Sequence, residues 1–307
     1  MTVRRRFVLV DVFADRPLAG NPLAVFPEAQ GLDADALQSL AREMDHAATA
    51  FLFPSAVPGA AFRLRIFSRD REMPFAGHPA LGAHFVHAVE AGIPAETRLL
   101  RVAHEGDGGA LVRVEVAVEG GRVAMLRLTQ SAPVSGLPLD SDTVARVAQA
   151  LGLAEEEIQA ANQPVQVVST GLPVLIVPVA TLSGLHRARP RYDRLREVLE
   201  GRDASVVYAF TKETIAARST AHARAFDIGG SVEVPGAGAA AGALSAYLVA
   251  NAAVTVTPVT SLVIEQGHAL NRPSTLRAEV RVKGAGAVTQ VVVGGRVVRI
   301  GEGVLEV

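Results

Sequence analysis

The 307-residue sequence contains no cysteine, so disulfides, thiolate nucleophiles and cysteine-ligated metals are excluded by inventory. It also lacks an excess of either charge: 30 Lys+Arg stand against 31 Asp+Glu, a formal charge of -1. Such a balance gives no long-range field to gather nucleic acid or an anionic membrane. No run of about 18 uncharged, strongly apolar residues is present that could cross a bilayer. The nearest stretch, 234–259, is built from Ala and Gly and reads as a buried helix. Met1 to Phe7 carries positive charge but meets Asp11 and Asp15 before any apolar region of useful length, so it does not read as a signal peptide. There is no Gly-x-Ser-x-Gly elbow and no HExxH motif, which leaves a serine hydrolase and a zincin unsupported. His84 and His87 form an i, i+3 pair with no third ligand signalled, and no metal is expected. The expectation is a cytoplasmic protein acting on a small molecule, with neither nucleic acid nor membrane as partner.

What is present is apolar. Hydrophobic residues make up 49% of the chain, enough for a large core in one big domain or two ordinary ones. The organising stretch is Met73-Pro74-Phe75-Ala76-Gly77-His78-Pro79-Ala80-Leu81-Gly82, with a partial echo at Val234-Pro235-Gly236-Ala237-Gly238-Ala239-Ala240-Ala241-Gly242. Each leads through a turn into an apolar helix, to about Gly92 and about Ala253. Helix starts of this kind present unpaired N–H groups and a positive dipole end, which suits a carboxylate or an oxyanion. The glycines of the second copy superficially suggest a dinucleotide loop. That motif needs an acid about 20 residues on, whereas the next acid after Glu233 is Glu265. No cofactor is expected.

Taken in order, 7–13 and 23–26 read as strands around a turn-rich loop. A helix capped by Asp33 is expected over 34–44, with strands at 49–53 and 62–67 before the first central helix. Strand patterns run from Leu99 to Leu128, with a hairpin at Glu119-Gly120-Gly121-Arg122. Ser131 to Leu139 reads as a boundary between lobes. A helix pair comes next over 142–151 and 155–161, the first capped by Asp140 or Ser141. Strands are expected near 165–171, 174–179, 205–210 and 221–226, with a short helix at 192–199. After the second central helix come strands at 261–265, 275–282, 288–293 and 297–300, with Gly294-Gly295 turning the last pair. Strand and helix do not alternate regularly, so the fold class is α+β rather than parallel α/β. The first lobe covers 1–130, with 284–307 returning to it, and the second covers 131–283. Each is read as antiparallel strands wrapped around one central helix.

Several motifs occur in one order: Asp11-Val12-Phe13, Gly20-Asn21-Pro22-Leu23-Ala24-Val25-Phe26, Pro74-Phe75-Ala76-Gly77-His78-Pro79, Ser169-Thr170-Gly171-Leu172-Pro173, Glu265-Gln266-Gly267 with Arg272-Pro273-Ser274, and Val293-Gly294-Gly295. In these the sequence resembles the PhzF-type family of the diaminopimelate-epimerase-like superfamily. The resemblance implies a two-lobed fold with a cofactor-free acid-base site between the central helices, in a homodimer, and isomerase chemistry on a conjugated carboxylic acid. It implies catalysis by a Glu in Asn-x-Ser-Glu-Thr, a His in Gly-His-Pro, and an Asp and a Ser in Glu-Asp-Pro-x-Thr-Gly-Ser. Here those positions hold Ala48, His78, Val234 and Ala239, so only the histidine survives.

The candidate catalytic residues are therefore His78, then His46, Glu233 and Asp45 as replacement acids or bases. His46 shares a face with Ala48 if the chain is extended there, and Asp45 then points away. Gly77, Gly238, Ala239, Ala48, Val234 and Asn21 are the candidate substrate-binding positions. Asp227 is a further carboxylate near the second helix, Glu72 reads as a local cap, and Arg69, Arg71 and Arg272 are candidate carboxylate clamps. The expected function is a cofactor-independent isomerase or tautomerase of a small unsaturated carboxylic or amino acid, in secondary metabolism such as antibiotic biosynthesis. The rivals are a scaffold turned to lyase, hydrolase or cyclisation chemistry, and a silent small-molecule binder.

Overall fold

Strand β1 (Arg4–Val12) buries Val8, Val10 and Val12 and pairs antiparallel with β2 (Asn21–Phe26), Val8 facing Val25 and Val12 facing Asn21. The loop between them turns at Gly20, whose φ is 68° and where a Cβ would overlap the Val12 carbonyl, so only glycine fits. The structure is a computed structural model and describes residues 4–73, 77–94, 96–284 and 287–307. Pro74-Phe75-Ala76 of the organising stretch lie outside the described residues. The chain divides into two units, Met1–Leu128 with Gly294–Val307, and Thr129–Val293.

In the first unit, α1 (Ala34–Met44) is capped by Asp33, whose side chain accepts the Ala36 N–H at 2.9 Å. It buries Leu37, Leu40 and Ala41 on one face. β3 (Thr49–Phe53) then pairs parallel to β2, and β4 (Phe62–Phe67) antiparallel to β3. Phe26 stacks on Phe51 with ring centroids 4.9 Å apart, and Phe67 meets Phe51 edge-on. β5 (Glu72–Met73) pairs with β4, and after α2 (Gly77–Ala91) the strand β6 (Leu99–Glu105) pairs parallel to β4. β7 (Leu111–Glu119) and β8 (Arg122–Thr129) continue antiparallel.

The second unit repeats this plan. Its elements are β9 (Val134–Pro138), α3 (Ser141–Leu151), α4 (Glu155–Gln159), β10 (Gln166–Ser169), β11 (Pro173–Pro178), α5 (Leu182–Arg187), α6 (Tyr192–Leu199), β12 (Val206–Thr211), β13 (Ala221–Asp227), β14 (Val232–Val234), α7 (Gly238–Ala250), β15 (Val259–Gln266) and β16 (Ser274–Lys283). β11–β12 is parallel, β12–β13 and β13–β14 antiparallel, β13–β15 parallel and β15–β16 antiparallel. The order of pairings matches that from β2 to β7. β17 (Ala287–Gly295) and β18 (Val297–Glu306) complete the chain. The last strand of each half is exchanged: β18 pairs with β1, and β9 pairs with β10.

The α+β class and two-lobed plan stand, with several corrections. Each unit carries parallel pairings as well as antiparallel ones. Residues 131–139 include a strand, and the division falls at 128/129 and 293/294, because β9 and β18 are the exchanged strands. β5, α5 and β14 have no counterpart among the elements expected from sequence. Gly294 and Gly295 do not turn the last pair but end β17, and a Cβ at Gly294 would overlap the Leu126 carbonyl, a close backbone approach that requires glycine. No helix among the described residues is long and apolar enough to cross a membrane.

α7 is buried around almost its whole circumference, and α2 is mostly buried up to Ala88, with 89–91 exposed. A Cβ at Gly82 of α2 would overlap Leu23 and come within 3.3 Å of Val10 and Val12. At Gly242 of α7 it would overlap the Gln130 side chain. Gly82→Ala is expected to cost about 1–3 kcal/mol in urea denaturation, since the overpacked Leu23 and β1 cannot withdraw freely. Gly301→Ala, which meets nothing within 4 Å, should stay within about 0.5 kcal/mol. Equal effects at the two positions would refute close packing as the reason for Gly82.

Candidate active site

In the first unit, α2 begins at Gly77 with His78 in its first turn. His78 is 9% exposed, and its buried Nε2 has no hydrogen-bond partner among the described residues. Burial, with a smaller contribution from the nearby His46 charge, lowers its pKa from 6.5 to about 3, so the imidazole is neutral. A neutral ring with a bare nitrogen can accept or donate a proton.

His46 is half-buried and electrostatically coupled to His78, but not through a shared strand face. Asp45 ends α1 in the left-handed conformation, with φ 52°, so 45–47 form a turn and bend, and β3 starts only at Thr49. The alternation expected of an extended chain therefore does not apply there. Asp45 is exposed and forms an ion pair with Arg69 at 2.8 Å. Arg69 is thus engaged locally rather than standing open as a clamp, and Arg71 lies on the exposed turn whose carbonyl accepts the Ser68 N–H. Glu72 accepts both Nε and Nη2 of Arg65, at 2.6 and 2.7 Å, and this pairing lowers its pKa. Ala48 is fully buried just before β3, and Asn21 is fully buried at the start of β2.

His84 and His87 belong to a packed aromatic group with Phe62 and His104. The His84 and His104 rings are 5.1 Å apart, Phe62 stacks on His104, and His84 Nδ1 bonds the Ala80 carbonyl at 2.9 Å. Among the described residues no three His, Asp or Glu side chains are grouped to hold a metal ion.

In the second unit, Glu233 is not a free base. Both its oxygens accept hydrogen bonds from Arg224, at 2.9 and 2.8 Å, and the guanidinium is buried and also donates to the Leu185 and Ala188 carbonyls. Asp227 accepts the Gly229 N–H at 3.0 Å and serves a turn. Val234 is half-buried, and its carbonyl accepts the Gln266 Nε2 at 2.6 Å. Gln266 Oε1 accepts the Ala237 N–H at 3.2 Å and the Tyr208 hydroxyl at 2.8 Å. Both Gln266 and Tyr208 are fully buried, so the path of 234–237 into α7 is set by a satisfied buried network. Gly267 must be glycine, since a Cβ there would overlap the Arg272 and Pro235 carbonyls. Gly238 opens α7 and its carbonyl accepts Gln130 Nε2 at 2.9 Å, while Ala239 comes next, half-buried. The first intrahelical bond runs from the Ala241 N–H to the Ala237 carbonyl, so the N–H groups of Gly238 and Ala239 precede the ladder.

Gln266, Tyr208, Gln130 and Thr170, whose hydroxyl bonds Gln130 Oε1 at 2.6 Å, carry this support. Sequence reasoning assigns none of them a role. Gln266 and Thr170 sit within the motifs Glu265-Gln266-Gly267 and Ser169-Thr170-Gly171, whereas Tyr208 and Gln130 show no local signal.

A family model described as phenazine biosynthesis-like protein matches residues 10–303. The chain is 35% identical over 305 residues to an uncharacterized isomerase of Mesorhizobium japonicum, covering 98% of each chain. It is 31% identical over 299 residues to the trans-2,3-dihydro-3-hydroxyanthranilate isomerase of Pseudomonas aeruginosa, covering 97% of this chain and 98% of that one. Among solved structures, a predicted epimerase from Pseudomonas aeruginosa superposes with a TM-score of 0.82 at 35% identity, over 98% of this chain and 99% of the other.

Burial also lowers His84 to about 3 and His104 to about 4. The unfolded chain takes up protons on these imidazoles from pH 6.5 downward, while the folded one refuses them until about pH 3 to 4. Their contribution to stability is therefore full above 6.5 and falls with pH through that window. His104→Phe should make the thermal midpoint less dependent on pH between 7 and 5. An unchanged slope would show that His104 already binds its proton in the fold.

Proposed function

Because the chain belongs to the phenazine biosynthesis-like family, we propose that it is an isomerase that moves a proton and a double bond within a small unsaturated carboxylic or amino acid, without a cofactor. The substrate class is taken from the relative named for trans-2,3-dihydro-3-hydroxyanthranilate. In this reading it acts as a cytoplasmic homodimer in secondary metabolism. The observation that carries the proposal is the buried Nε2 of His78 at the start of α2, which has no hydrogen-bond partner among the described residues.

An imidazole held neutral by burial is a weak base while the site is empty. An anionic substrate beside it raises its pKa by opposite charge, and the ring becomes a useful base once substrate is bound. His78 then removes a carbon-bound proton next to the conjugated system and returns it to another carbon, so atoms and charge balance with no other reactant. Ala48, Val234 and Ala239 supply no second acid, Glu233 is held by Arg224 and Asp45 by Arg69. His46 acts on His78 through its charge, and in this reading His78 handles both transfers.

That last point gives a specific expectation. With trans-2,3-dihydro-3-hydroxyanthranilate as the first probe in D₂O, the isomer should form with less than one solvent deuterium per turnover, because a single shielded base returns part of the original proton. His78→Gln should lower turnover by about 10²-fold or more with an unchanged thermal midpoint. Full deuterium incorporation would point to two bases. Binding without any double-bond shift or deuterium uptake, across this and related unsaturated acids, would replace the isomerase with a silent binder, a reading favoured only by the pairing of Glu233 and Asp45.

A further inference from the structure

The first unit contains a cavity of about 550 Å³ whose lining does not include His78. Val89 of α2 lies on its wall, eleven residues beyond His78 and so about 16 Å along the helix axis. Phe85 and Val89 stand at i and i+4 on one face of α2, and Ile93 joins them from the chain just past the helix, after Gly92 has left it with φ 76°. Opposite elements supply Val123 from the β7–β8 hairpin and Val297 and Val298 from the start of β18. Val89 is 41% exposed, and Phe85, Ile93, Val123 and Val298 are half-buried, so this apolar surface is accessible within the unit.

The polar side chains of the lining are Arg122 and Arg299, and no carboxylate is among its residues. Both are exposed. Arg299 bonds Glu302 at 3.0 Å, but Glu302 is shared with Arg6, which also holds Glu90. Two carboxylates thus balance two guanidinium groups there. Arg122 has no side-chain partner among the described residues, so the groove keeps a cation beside an apolar wall. A second cavity, beside α6, lacks this complementarity: Glu197 and Glu200 outnumber its one arginine, Arg196.

We propose that the Phe85–Arg122–Arg299 groove binds a free, amphiphilic monocarboxylate, its apolar body against Phe85 and Val89 and its carboxylate on Arg122, with Arg299 alongside. Guanidinium takes a carboxylate in bidentate fashion, and the size and mainly apolar lining suit a ligand with a short chain or a ring. The site goes beyond the proposed isomerase chemistry and uses none of its residues.

The test uses the full chain with 1-anilinonaphthalene-8-sulfonate as fluorescent probe and decanoate as competitor. Decanoate should displace the probe from one saturable site. The Arg122→Ala, Arg299→Ala double variant should weaken decanoate about tenfold or more, as expected for a lost charge-assisted contact. Val89→Glu, at an exposed position, should abolish binding while thermal melting shows the fold intact. Displacement by decanol equal to that by decanoate, or equal decanoate binding in all variants, would overturn the proposal. Sedimentation with anionic lipid vesicles lost in the same variants would also overturn it, by making the groove a membrane contact.

Discussion

A helix with little polar surface has to be covered on most sides, and α7, together with α2 as far as Ala88, imposes that requirement on each half of the chain. Nothing in α7 from Gly238 to Val249 is charged, and nearly all of it is buried. One flat sheet covers one face of a helix, so the strands must curl, and the parallel pairings β2–β3, β4–β6, β11–β12 and β13–β15 are how each half closes around its helix. The same requirement explains the small residues. Gly82 lets β1 and β2 approach α2, and Gly242 lets Gln130 lie across α7. Where such a helix starts, its first N–H groups have no intrahelical partners, and burial keeps water from His78 in the first turn of α2.

That desolvation governs the candidate chemistry. A carboxylate placed beside His78 would raise its pKa, and the positions where the family resemblance implies polar groups hold Ala48, Val234 and Ala239. The acids that remain nearby in sequence have other work. Glu233 neutralises the buried Arg224, which would otherwise be an uncompensated charge inside the second unit, a costly arrangement. Asp45 terminates α1 and meets Arg69 in solvent. Glu233 cannot be released to act as a base without leaving the Arg224 charge buried and unpaired.

Local chemistry made the amphipathic helices legible. Asp33 and Asp140 each accept the N–H three residues on, and the apolar spacing of α1 and α6 fixes their buried faces, so their limits are set by neighbours in sequence. Strand existence was equally plain wherever β-branched residues alternate. Pairing was not, because whether β4 lies parallel to β6 depends on residues about forty positions apart. The exchange of β9 and β18 is hidden for the same reason: all five β9 residues are exposed, so no apolar alternation announces the strand. At the site, the histidine in Gly-His-Pro was legible from its motif. The geometry of His46 was not, since one left-handed residue, Asp45, redirects the chain immediately after it. Nor was the network of Gln266, whose partners come from β12 and from the loop before α7.

The two halves share a scaffold but not its chemistry. Across the parallel pair β4–β6, Arg63 stands opposite Glu105, and across β13–β15 His222 stands opposite Glu265, a basic and an acidic residue in matching places. The first pair is 4.0 Å apart, with Arg63 about half exposed. The second is 2.9 Å apart and buried, with Glu265 also accepting the Ile215 and Ala216 N–H groups. In the second half the pair has become part of the core and holds a loop. The helix starts have diverged the other way. α2 keeps an imidazole in its first turn, while α7 opens Gly238-Ala239-Ala240 without a titratable side chain. A scaffold duplicated in structure is thus asymmetric in proton chemistry, with His78 as the titratable group in the first turn of either central helix.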